Sequence, residues 1–201
     1  AVQVDTIGLG GDSQIRFDSL DKLVLGPTRV MPLCIAAHRW PSVTSSLKKL
    51  SEQQKISAMP MHEFVCLMSN IGDESLYSQQ EIKLCAALAN GPLILGEAAK
   101  AAGTDVYNFN INRLEREGVV ARAGLTPTDL MHINGDFNEF DADAAKLGAA
   151  VVARSKDTTT QALIELVYDR IKQTMYTTIV SAILKKTHQK FKLHGLGDRL
   201  E

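Results

Sequence analysis

Nine residues near the middle of the chain, Gly124-Leu-Thr-Pro-Thr-Asp-Leu-Met-His132, constrain the fold more than any other stretch. Thr126 stands where an N-cap belongs, Pro127 follows at the first helical position, where its missing N–H costs nothing, and Asp129 lies three residues beyond the cap. The spacing predicts a helix that starts at Pro127 and is held by a reciprocal capping box. The same residues crowd two hydroxyls and a carboxylate at the positive end of a short helix. Two readings remain open: simple capping, or the lip of a polar site.

A second polar corner comes early. Val2 and Val4 alternate with polar residues, run into Thr6-Ile-Gly-Leu-Gly-Gly-Asp-Ser13, and the alternation resumes at Ile15 and Phe17. This reads as strand, glycine turn, strand. Gly8, Gly10 and Gly11 allow a close backbone approach, and their amides can form a nest for an anion, to which Ser13 would add a hydroxyl. A hairpin turn or a bulge is the favoured explanation of a glycine cluster with no helix after it. Asp12 repels an anion unless a metal ion lies between them.

Between these corners lies the clearest piece of organisation. A helix is expected over 78–90, ended by Gly91-Pro92, then a small one over 97–102 that closes on Gly103, and a third, capped by Thr104 or Asp105, reaching Glu117. Gly118 supplies a left-handed exit, and 119–121 reads as the first strand of a wing. Three short helices and a β-ribbon make a winged helix-turn-helix. Asn108, Asn110 and Asn112 could read base edges. Over 81–122, however, Lys83, Lys100, Arg113, Arg116 and Arg122 are matched by Glu81, Glu97, Asp105, Glu115 and Glu117. A DNA module draws affinity from phosphate contacts, so a packing or regulatory role is favoured over nucleic-acid binding.

The remaining chain is helical in pattern. A helix over 42–54 carries Val43, Leu47 and Leu50, and one capped by Asp141 or Asp143 carries Ala144, Ala145, Leu147, Ala149 and Val152. From 158 to 191, Leu163, Val167, Ile171, Met175, Ile179 and Ile183 recur four apart, as a core-facing stripe does. With 45% hydrophobic and 22% charged residues and a net charge of -1, the composition is that of a soluble globular protein without a general affinity for polyanions. Cys34, Cys66 and Cys85 have neither disulfide nor zinc spacing, and no metal ligands are assigned. Buried free thiols and the lack of a spanning apolar run or leader suggest a cytoplasmic protein.

Taken together, Thr6-Ile-Gly-Leu-Gly-Gly-Asp-Ser13, the Gly26-Pro27 that follows it, Leu125-Thr-Pro-Thr-Asp129 and Asp141-Ala-Asp-Ala-Ala145 resemble, in this order, the hydantoinase/oxoprolinase A-type family. The resemblance covers most of the chain and implies an actin-like ATPase fold. It also implies that ATP and Mg²⁺ activate a cyclic amide, such as a hydantoin or 5-oxoproline, by phosphorylating its carbonyl oxygen ahead of attack by water. Gly8, Gly10, Gly11 and Ser13 match the glycine-rich segment, and Thr126, Thr128 and Asp129 match the later motif. Asp12 stands where the family more often has glycine, and Thr28-Arg-Val-Met-Pro32 replaces its small and proline-rich stretch.

The expectation is therefore a mixed, helix-rich α+β protein: a partial actin-like fold with a winged helix-turn-helix-like module. Three segments are expected, a β-containing glycine-turn segment over 1–72, the module over 73–124 and a helical segment over 125–201. Asp129 is the candidate catalytic residue; Gly8, Gly10, Gly11, Asp12, Ser13, Thr126 and Thr128 are the candidate nucleotide or substrate contacts, and His132 lies on the same helix face as Asp129. The ends suggest a region of a longer hydrolase, inactive alone, with a cyclic-amide substrate and a second hydantoinase subunit as partners and no membrane. The competing class is a DNA-binding or protein-interaction regulatory module.

Overall fold

A computed structural model describes residues 9–53 and 62–186. Gly8 and the Val2/Val4 alternation lie outside the described residues. In chain order the elements are β1 (Ser13–Phe17), β2 (Leu23–Arg29), β3 (Met31–Pro32), α1 (Leu33–Arg39), α2 (Ser42–Glu52), β4 (Phe64–Leu67), α3 (Gln79–Leu88), β5 (Leu93–Ile94), α4 (Leu95–Ala102), α5 (Asn112–Arg116), β6 (Val120–Gly124), α6 (Pro127–Asn134), α7 (Ala142–Ser155) and α8 (Thr160–Lys186). The fold is α+β and helix-rich, with two small sheets. β1 and β2 form an antiparallel hairpin, and the second sheet runs β3-β6-β4-β5, with β3 parallel to β6 and the other pairs antiparallel.

That second sheet separates two hydrophobic interiors. Successive strand residues point to opposite faces, so β4 sends Phe64 and Cys66 into one core and Val65 into the other. β6 likewise contributes Ala123 to the first and Val120 to the second. The larger core is closed by α1, α2, α6, α7, the start of α8 and the hairpin; the smaller one holds Leu84, Cys85, Leu88, Ala98, Ile111 and Leu114. Val65, from the 1–72 segment, is thus sealed together with side chains of the 73–124 segment.

Helix α7 is the hub of the larger core, meeting α1, α2, α6 and α8. Its small buried residues allow that many neighbours: a Cβ on Gly148 would stand 2.3 Å from Leu33 Cδ1, inside a fully buried contact. Asp141 caps it by accepting the Ala144 amide, 3.0 Å away, and also accepts the Thr44 hydroxyl at 2.8 Å, which pins α2 alongside.

Three expectations change. The third helix is confined to Asn112–Arg116, because Asp105 accepts the Tyr107 and Asn108 amides and the Asn108 side-chain amide, an alternative that competes with helical hydrogen bonding. The strand after it, read as the start of a wing, pairs backwards with β4 and then enters α6. The stripe on α8 is core-facing only at its start. Leu163 and Val167 are buried, whereas Met175 is 46% and Ile179 53% exposed in the second half of this 27-residue helix.

Candidate functional site

Helix α6 begins as its sequence requires: Thr126 takes the Asp129 amide at 3.4 Å and the Asp129 carboxylate takes the Thr126 amide at 2.8 Å. Gly135 closes the helix in the left-handed region at φ 81°. The carboxylate does more than cap its own helix. Asp129 Oδ2 also accepts from the Thr126 hydroxyl at 2.8 Å and the Leu33 amide at 3.2 Å, and Oδ1 accepts from the Cys34 amide at 2.8 Å. Those last two are first-turn amides of α1, so one carboxylate satisfies orphan donors of two helices. Burial pushes its pKa up, against the hydrogen bonds from Cys34 and Thr126 that favour the charged form. The group expected to be catalytic is fully buried, with both oxygens given to protein donors.

The glycine turn comes to this same corner. Thr128 donates to the Gly11 carbonyl twice, from its amide at 3.0 Å and from its hydroxyl at 2.8 Å, across 117 positions of sequence. A Cβ on Gly11 would stand 2.6 Å from that hydroxyl, which is why glycine is needed there. The Ile15 amide donates to the Leu125 carbonyl at 2.9 Å and extends the seam. Within the turn, the Gly10 amide donates to the Ser13 hydroxyl and the Ser13 amide to the Gly10 carbonyl. Gly10, Gly11, Asp12, Ser13, Thr126, Thr128 and Asp129 are therefore neighbours.

The donors at this corner are not the ones the sequence suggests. The first α6 amides are spent on Gly11 and Thr126 and point at no open site. The Gly11 and Asp12 amides have no acceptor among the described residues. Arg29, missed in the sequence, places its Nη1 2.6 Å from Asp12 Oδ1, over Gly10, whose added Cβ would lie 2.9 Å from that oxygen and 3.2 Å from that nitrogen. Hairpin pairing could have pointed to it, but a bulge between Ser13 and Ile15 shifts the partners. The groups here that would hold a phosphate are these two amides and the Arg29 guanidinium. For Mg²⁺ the corner offers only the Asp12 carboxylate beside the phosphate oxygens, and no group of three metal-ligating side chains occurs among the described residues.

His132 is buried below. Its Nδ1–H donates to the Thr128 carbonyl at 2.8 Å, its Nε2 accepts the Phe140 amide at 3.3 Å, and the Phe137 and Phe140 rings flank it. It holds the loop after α6 in place. A cleft of about 740 Å³ opens elsewhere, between α3 and the 104–116 segment, lined by Gln80, Glu81, Leu84, Phe109, Asn112 and Arg116 among others. Its charges largely satisfy one another, Arg113 pairing with Glu117 and Glu81, and Glu115 with Arg122.

Neither the protein-family models, nor the curated proteins, nor the solved structures contain a match to this chain. No helix among the described residues is long and apolar enough to cross a membrane.

Proposed function

We propose that this chain is a region of an ATP-dependent cyclic-amide hydrolase of the hydantoinase/oxoprolinase type, built on part of an actin-like ATPase fold and carrying a winged helix-turn-helix-like module. The observation that supports it is the meeting of the glycine turn with the Thr-Asp helix through the two hydrogen bonds from Thr128 to Gly11. ATP with Mg²⁺, when bound, supplies the phosphoryl group that makes an amide carbonyl a better electrophile. The chain's own residues then divide the work. The Gly11 and Asp12 amides would hold the phosphate, the buried Ser13 hydroxyl accepts the Gly10 amide and shapes the turn, Thr128 fixes the turn against α6, and Asp129 is a positioning residue that locks α6 to α1.

The module reads as a packing or regulatory element. Asn108 and Asn110 are engaged in local turns, through Asp105 and the Asn112 amide, and Arg113 and Arg122 are paired with Glu117 and Glu115. The test is phosphate release from ATP and Mg²⁺ by the natural protein that carries this region, with hydantoin and 5-oxoproline as substrates. Release that depends on a cyclic amide and is lost in Gly11→Ala is the expected result. No release with any cyclic amide, or tight sequence-selective DNA binding that depends on Arg113, would overturn it.

A further inference from the structure

The Asp12–Arg29 pair lies over the glycine turn and joins it to the end of β2. Both side chains are exposed, Arg29 at 55% and Asp12 at 43%, and they are joined by a single hydrogen bond through Nη1. The Nε and Nη2 donors of Arg29 have no partner among the described residues. An exposed ion pair of this kind is weak, so its partners are free to exchange. Next to it are the amides of Gly11 and Asp12, which have no acceptor among the described residues, and the lack of a Cβ on Gly10 lets the Asp12–Arg29 pair lie directly over the turn.

We propose that Arg29 is the anion-recognition residue of this corner and that Asp12 is its resident competitor, displaced when a phosphoryl group arrives. This rests on reading the Gly10 to Ser13 turn as the phosphate corner. A phosphate dianion brings two charges and several acceptor oxygens, and can take a forked pair of N–H bonds from a guanidinium while accepting from the turn amides. A carboxylate ligand can take the same fork but brings no more charge than Asp12 already supplies and has fewer oxygens left for the turn amides, so the exchange gains it far less. Asp12 thereby acts as a filter that admits phosphoryl groups and turns away carboxylates, including those of a ring-opened product. The same residue repels the bound anion at close range, which keeps phosphate affinity modest and release fast.

The test is titration with inorganic phosphate, and in parallel with acetate, at low salt, followed by calorimetry and by the NMR signal of the Arg29 Nε–H. Phosphate is expected to shift that signal and acetate to leave it unchanged. Arg29→Gln should weaken phosphate binding about tenfold or more, with Arg29→Lys intermediate, because lysine keeps the charge and loses the fork. Asp12→Asn should act in the opposite direction, tightening phosphate roughly fivefold and letting acetate bind. Thermal melts confirm that these surface variants fold. Equal phosphate affinity in wild type and Arg29→Gln would overturn the assignment, as would weaker binding in Asp12→Asn. If the opposed pattern is found while cyclic amides elicit no ATP turnover from the parent protein, the hydrolase reading fails and the anion site stands.

Discussion

Truncating the Asp129 side chain would strand the Thr126 amide and hydroxyl and the Leu33 and Cys34 amides, all in the interior. Unmet buried donors and a lost double cap make Asp129→Ala about 3–5 kcal/mol less stable, measurable as a lower urea midpoint. His62 offers a second residue-scale check. Its Nε2 is buried without a partner, and burial lowers its pKa from 6.5 to about 4. Because the folded pKa lies below the unfolded one, the unfolded chain takes up the proton first on acidification. Stability is therefore expected to drop as pH falls from 6.5 towards about 4, and His62→Phe should flatten that slope in melts across the range. Glu63 and Asp129, whose pKa values burial raises, act in the opposite sense, losing stability as pH rises. The difference between variant and wild type isolates the histidine.

At the scale of elements, the two halves of α8 make a controlled comparison. Val167→Ala removes buried methyl groups and should cost about 1–3 kcal/mol, whereas Ile179→Ser lies on an uncovered face and should change stability by less than about 0.5 kcal/mol in denaturant titrations. This helix also shows what was legible in the sequence. Spacing of four announces an amphipathic helix, but how far the partner surface extends is set by other elements, so Leu163 and Met175 look alike until the fold is known. Capping was legible at Thr126 and Asp141, because the cap and the amides it serves lie within three residues, whereas the capping box at Ser78 appears only in the structure. The turn made by Asp105 defeated the helix expected there, since the same residue type starts helices and closes turns. That the glycine turn and the Thr-Asp helix share a site was only what the family resemblance implies; the contact between Gly11 and Thr128 is seen in the structure. Arg29 and the α1 amides were not legible, because a strand bulge and a helix packed from elsewhere bring them in.

For the molecule as a whole, the two interiors share β4 and β6, and the cysteines report on both. Cys34, Cys66 and Cys85 are buried, and burial raises all three thiols, that of Cys66 to about 12. None is expected to react with a maleimide in the native protein, and all three should react in strong denaturant. In intermediate urea, Cys66 in the larger core and Cys85 in the smaller one should become reactive together, as mass-resolved labelling can show. Labelling of Cys85 well before Cys66 would mean that the smaller interior opens alone.

Phe64-Val-Cys-Leu67 carries a consequence for sequence drift. Adding or deleting one residue in that ribbon would hand each interior the side chains meant for the other, trading the phenylalanine for the valine. Helices on either flank can lengthen, shorten or change composition, but the parity of these four positions has to be inherited intact.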